Sequence, residues 1–188
     1  MIYELIAFVI CAFLTWRLTR SSYNQLAHYL NAGLDNEAIT HESQLERLLA
    51  SAGRYYDERK WLAAEKAYVK VLKLDHKNTA AYRRLGMVYS QLKNYEDAAE
   101  CFEIAVRARA TAADYQNLAT VYYHLKRYHE VQTSLQKSIA IEPSMSRYMA
   151  LAKVQGILGN AAGRDETLRA AHRLDPNSAA VAQARGKN

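Results

Sequence analysis

The sequence predicts an all-α protein, a stack of helical hairpins preceded by an N-terminal membrane helix. Three observations lead there. Residue types recur with a period of 33–34 from about residue 45 to residue 178. Only two prolines and seven glycines punctuate 188 residues, too few for a β-sandwich or barrel with a turn every 8–12 residues. Residues 2–16 form an apolar run unlike anything after them. With 50% hydrophobic and 23% charged residues the chain is not disordered. The two cysteines, Cys11 and Cys101, exclude a disulfide scaffold and a multi-cysteine metal site. A net charge of +6 favours anionic surfaces but is too mild to mark a nucleic-acid binder, and no nucleic-acid partner is expected.

In chain order, the first element is the run IYELIAFVICAFLTW, interrupted only by Glu4 and Thr15 and ended by Arg17. A helix from Met1 to Arg20 reaches about 30 Å, the thickness of a hydrocarbon core, with the two arginines extending to the headgroups. Leu5, Ile6, Phe8, Val9, Ile10, Phe13, Leu14 and Trp16 form its apolar surface. A cleaved signal peptide lacks its positive start and its small-residue cleavage site here. A soluble core helix remains the plain alternative, since 12–15 apolar residues fit one. We read residues 1–20 as an uncleaved single-pass anchor. Arg17 and Arg20 follow the run and no Lys or Arg precedes it, which places the rest of the chain in the cytoplasm. Ala7, Cys11 and Thr15 form a small-residue stripe on which two anchors could pair, so a homo-oligomer is a candidate. Residues 21–44 read as a juxtamembrane helix broken at Asn31-Ala32-Gly33, then an acidic linker.

Four units follow, 45–78, 79–111, 112–144 and 145–178, with a cap or tail at 179–188. Ala52, Gly86, Ala119 and Ala152 fall in register, as do Tyr55, Tyr89 and Tyr122. In the second half of each unit Tyr68, Phe102, Leu135 and Leu168 align. Leu85, Gly86, Tyr89 and Leu92 share one helix face, and Gly86 lets a second helix approach closely. That second helix supplies Ala98, Phe102 and Ala105: small, large, small. LKNYED marks the turn between them. Such a hairpin cannot cover its own apolar face, and stacking on neighbours does so.

These residues resemble the tetratricopeptide repeat. One unit matches at Tyr82, Leu85, Gly86, Tyr89, Ala98, Phe102 and Ala105. The next matches at Tyr115, Leu118, Ala119, Tyr122, Leu135 and Pro143, with Val131 in place of the small residue. The last loses the aromatic to Gln155 and the small residue to Arg164, as a terminal cap does. The resemblance implies a right-handed solenoid of about four paired-helix repeats. It also implies a groove, lined by the first helix of each hairpin, that holds a segment of another protein. Carried over, the groove positions are Leu49, Gly53 and Tyr56 in the first unit; Arg83, Arg84 and Met87 in the second; Gln116, Asn117, Thr120 and Tyr123 in the third; Met149 and Lys153 in the fourth. Chaperone-binding members use a carboxylate clamp; Arg83 and Asn117 occupy two of its positions, whereas Met87, Ser146 and Ala150 disable the others. Anchor plus repeats also resembles bacterial envelope-assembly proteins; the zinc module of the lipopolysaccharide assembly protein B type has no cysteines here to build it.

No catalytic constellation is visible, so the chain reads as a non-enzyme needing no cofactor and no metal. The six histidines form no metal-ligand spacing, and neither a phosphate loop nor a nucleophile elbow is present. Cys101 beside Phe102 reads as a buried, inert thiol. The expected function is a membrane-anchored adaptor or scaffold. Tyr56, Arg83, Arg84, Met87, Gln116, Asn117, Thr120, Tyr123 and Lys153 would bind an acidic or mixed segment of a protein partner, the arginines pairing carboxylates. The alternatives are an assembly subunit of a larger membrane complex, and a soluble regulator whose N-terminal helix caps its own groove.

Overall fold

A computed structural model describes residues 40–176. The chain divides into two compact units, Met1–Arg47 and Leu48–Asn188. In the first, residues 40–47 are helical. In the second, α1 is formed by residues 48–57, followed by α2 (Trp61–Leu74), α3 (Thr79–Gln91), α4 (Tyr95–Arg109), α5 (Ala112–His124), α6 (Tyr128–Ile141), α7 (Met145–Ile157) and α8 (Ala161–Leu174). Among the described residues there is no strand. The expected membrane helix over 1–20, with Leu5, Ile6, Phe8, Val9, Ile10, Phe13, Leu14 and Trp16, lies outside the described residues, as does the tail at 179–188. Among the described residues no helix is long and apolar enough to cross a membrane.

Each hairpin closes through the same turn. The carbonyls of Tyr55, Tyr89, Tyr122 and Gln155 each accept the N–H of the residue five positions on, Lys60, Asn94, Arg127 and Asn160, at 2.9 Å. The preceding residue is left-handed: Arg59, Lys93 and Lys126 at φ 56–60° and Gly159 at φ 72°. This is a Schellman ending, which satisfies the last carbonyls of the first helix and reverses the chain in three residues. Identical bonds at Tyr55, Tyr89 and Tyr122 make the three tyrosines structurally equivalent. The sequence hides the turn, because three of its four left-handed positions carry Arg or Lys instead of Gly.

The links between hairpins are capped by side chains. Asn78 accepts from the Ala81 N–H, Thr111 from Asp114 and Ser144 from Arg147, starting α3, α5 and α7. Thr111 and Asp114 form a full capping box. From α2 to α8 each helix then packs on its neighbours in sequence. Between next-nearest helices α3 meets α5, and Tyr56 of α1 meets Met87 and Arg84 of α3; the first helices of the hairpins therefore lie on the inner side of the stack.

The seam is where small residues meet large ones. A Cβ placed on Gly86 would sit 3.0 Å from the Phe102 ring, closer than carbon atoms pack. Phe102 is 1% exposed. In the other hairpins alanine replaces glycine: Ala52, Ala119 and Ala152 are buried, and α6 and α8 answer with the smaller Leu135 and Leu168. Phe102, Leu118, Val121, Tyr122, Leu135, Leu151 and Val154 belong to one continuous buried cluster, consistent with repeats that share a core. In the last hairpin the tyrosine position holds Gln155, buried, with its Oε1 accepting from Thr167 Oγ1 at 2.8 Å. A hydrogen-bonded polar pair there removes the desolvation cost that a lone buried amide would carry.

Candidate functional site: the inner face of the stack

The nine sequence-derived positions fall on α1, α3, α5 and α7, at helical spacings that turn them to the inner face. They separate into two groups and one exception.

The first group joins α1 to α3. The Tyr56 hydroxyl donates to Met87 Sδ at 3.6 Å, and the Arg84 guanidinium carbon stands 5.0 Å from the Tyr56 ring centre. The Trp61 ring meets Tyr56 edge-on at 5.4 Å. Tyr56 is thereby held by an aromatic, a thioether and a cation.

The second group joins α5 to α7. Gln116, Thr120, Tyr123 and Lys153 rim a cavity of about 190 Å³ whose walls are Ala119, Val131, Leu135, Ala150 and Val154. Lys153 Nζ lies 5.2 Å from the Tyr123 ring centre, and Tyr128 packs edge-on against Tyr123 at 5.8 Å. Gln116 Oε1 is buried and has no hydrogen-bond partner among the described residues. The sequence pattern points to half-buried and exposed positions of the first helices, and assigns the apolar walls to the core or leaves them unmarked. Their signal was present in Val131, which departs from the repeat pattern, and in Ala150, where a clamp-type repeat carries a cation.

The exception is Arg83. The expectation was a guanidinium free to pair a partner's carboxylate. Instead its Nε donates to Asp114 Oδ1 at 2.7 Å and its Nη2 to the Arg109 carbonyl at 2.6 Å. Asp114, 2% exposed, accepts the Thr111 N–H on its other oxygen at 3.0 Å. The buried capping carboxylate of α5 needs a counter-charge, and Arg83 from the preceding repeat supplies it. Arg83 is therefore an inter-repeat joint. Asn117 is half-buried on α5.

The two remaining cations, Arg84 and Lys153, lie within ion-pair reach of no carboxylate among the described residues; each rests on a tyrosine ring. Off this face Lys60, Arg127, Arg147 and Arg164 pair with Glu58, Glu130, Glu142 and Asp165, while Arg54 and Lys137 also lie over tyrosine rings, Tyr55 and Tyr115; what sets Arg84 and Lys153 apart is their place on the inner face.

The outer side has a larger cavity of about 350 Å³ among α4, α5 and α6, with Tyr115 and Leu118 in its wall. Its acids are already engaged: the Tyr122 hydroxyl donates to Glu103 at 2.6 Å and Arg127 pairs with Glu130. Burial, reinforced by the Glu103 carboxylate, pushes the Tyr122 phenol well above its ordinary range. Burial likewise pushes the Cys101 thiol up to about 12, which leaves almost no thiolate for nucleophilic or redox chemistry at neutral pH. Among the described residues no group of three or more His, Cys, Asp and Glu could hold a metal ion.

Stacked helical hairpins with an exposed inner face define a class, the α-solenoid repeat scaffolds. Two family models, each described as tetratricopeptide repeat, match residues 55–122 and 115–145. Residues 55–145 of the chain thus carry tetratricopeptide repeats. A search of curated proteins gave no match. Among solved structures, MamA from Desulfovibrio magneticus RS-1 is 21% identical with a TM-score of 0.64, over 72% of this chain and 77% of that one. YrrB, described as a TPR protein with an unusual peptide-binding site, is 23% identical with a TM-score of 0.62, over 69% and 68%. The first TPR domain of Spaghetti (RPAP3), solved with the HSP90 peptide SRMEEVD, is 20% identical with a TM-score of 0.58, over 61% and 93%. At these identities the likeness is one of fold.

Proposed function

We infer that this protein is an interaction scaffold that holds an extended, acidic segment of another protein along its inner face. The observation that carries this reading is the pair of cations without carboxylate partners among the described residues, Arg84 and Lys153, parked on Tyr56 and Tyr123 on that face. Tyr and Arg are the side chains that most often concentrate interface energy, and a cation lying on a ring can turn to a carboxylate without leaving a buried charge behind. Two of the similar folds, YrrB and the Spaghetti domain, are described with a peptide site or a bound peptide, which supports the same use of the fold. The apolar run at 2–16, closed by Arg17 and Arg20, supports an anchored form whose repeats face the cytoplasm. In that form the scaffold recruits its partner to a membrane.

The test is affinity capture from native membranes with the full chain, identified by mass spectrometry. Reversing both free cations, Arg84→Glu with Lys153→Glu, is expected to weaken capture of the principal partner at least tenfold, about 1.4 kcal/mol. Capture undiminished by the double reversal removes the inner face from the site.

A further inference from the structure

The inner face offers an acidic segment two cations, but charge alone does not set where along the stack the segment sits. The cavity between α5 and α7 does. Its walls are the side chains of Ala119, Val131, Leu135, Ala150 and Val154, and its volume is about 190 Å³. Sites for cofactors and drug-sized molecules run to about 300–1,000 Å³; this one is of a size for a single apolar side chain. Two polar features stand at its rim. Gln116 Oε1 is buried without a hydrogen-bond partner among the described residues, a state that a donor from a bound chain would relieve. Lys153 lies on the Tyr123 ring with no carboxylate among the described residues in reach.

An apolar wall, an unmet acceptor and an unpaired cation around one cavity are complementary to a particular stretch of extended chain. Its apolar side chain enters the cavity, its backbone N–H reaches Gln116, and an acidic neighbour meets Lys153. An extended backbone supplies that donor, since it has no internal hydrogen bonds to satisfy it. A helical segment does not, because its N–H groups beyond the first turn are already bonded.

We propose that the α5–α7 cavity is a side-chain socket that registers the bound segment by one large apolar residue next to an acidic one, with Gln116 accepting the backbone N–H at that position. The proposal rests on the inner-face reading above and narrows it to a local sequence and a chain conformation.

The probe is an array of nine-residue peptides in a Ser-Gly background. Each carries one Leu, Met or Phe beside one Glu, with matched peptides in which the apolar residue is Ser, the Glu is Lys, or the apolar residue is N-methylated. The full chain is tested alongside Ala150→Leu, which fills the socket from its half-exposed wall, and Lys153→Glu, which is on the surface and leaves the socket empty. Expected is binding of the apolar-Glu peptides, a loss of at least tenfold with Ser at the apolar position, and a loss of about five- to tenfold on N-methylation. Ala150→Leu abolishes the apolar preference, and Lys153→Glu reverses the Glu/Lys preference. Acidic peptides that bind equally well with Ser or N-methyl, and to the Ala150→Leu chain, overturn the socket while leaving inner-face binding intact. If no acidic peptide binds, or binding is unaffected by Lys153→Glu together with Arg84→Glu, the inner-face reading falls and the socket with it.

Discussion

The two halves of the inner face are built from equivalent positions and end in different states. Counting by the repeat, Tyr56 corresponds to Tyr123, Arg84 to Ala150 and Met87 to Lys153. In the first half Met87 and Arg84 both close on Tyr56. In the second only Lys153 reaches Tyr123, and the place that Arg84 fills is left to the methyl of Ala150, so the cavity stays open. The backbone turns behind the two halves carry the same hydrogen bonds at the same lengths. Differences at a few side chains, Arg84 to Ala150 and Met87 to Lys153 on the groove and Val131 in the wall, thus accompany the change from a filled contact to a socket, with no change of fold. Repeat proteins acquire specificity this way because each repeat's stability comes mainly from its seam with neighbours, which leaves the inner side chains free to differ.

The comparison predicts first that the joint between the halves matters more than anything lining them. Removing the carboxylate with Asp114→Ala strips Arg83 of its partner and breaks half of the α5 capping box, leaving the Thr111 N–H unbonded. A loss of about 2–4 kcal/mol is expected, discounted because Arg83 is partly exposed to water. Chemical denaturation of both chains measures it. A loss below about 0.5 kcal/mol would show that the halves are not joined there.

A smaller effect is expected behind the socket, at Tyr122. Its folded-state pKa is raised, by burial first and by Glu103 second. The protonated phenol is therefore favoured in the folded chain. This stability is fully present below the unfolded tyrosine pKa, about 10, and is lost as pH rises past it, because the unfolded chain ionises first. Tyr68 and Tyr89, both raised by burial, add to the same window. Tm should thus fall steeply above about pH 10, and less steeply in Tyr122→Phe, which is less stable at pH 7 by about 1 kcal/mol for want of the Glu103 bond. Parallel Tm–pH curves for the two chains would contradict this.

Smallest is a gain. Lys126 holds a left-handed conformation at φ 59° that the last hairpin assigns to Gly159. Lys126→Gly should stabilise the chain by about 0.5–1 kcal/mol, read as a raised denaturation midpoint; a lowered midpoint would mean the lysine side chain makes a contact that outweighs the strain.

The seam was legible in the sequence and the site only in outline. Gly86 announced a close approach before any helix was placed, and the Phe102 ring proved to be what approaches. Burial in a periodic fold follows position, so aligning four copies reveals it. The Schellman turns were not legible because Arg59, Lys93 and Lys126 carry no residue signal for a left-handed backbone. Arg83 misled for a different reason. Position placed it on the inner face, but its electrostatic partner, Asp114, is 31 residues away and becomes visible only when the repeats stack. The socket walls belong to three helices of two repeats, a combination that no single-repeat pattern displays.

The central claim is that partners dock on the inner face, and most firmly on its second half. Its most direct test places a photo-crosslinking amino acid in the full chain at Asn117 on α5 or, separately, at Thr133 on the outer surface of α6. The chains are irradiated in cells and their adducts identified by mass spectrometry. The account predicts a discrete protein adduct from position 117, crosslinked through a segment carrying an apolar residue beside an acidic one, and none above background from position 133. A discrete adduct from position 133 with none from 117 would contradict it.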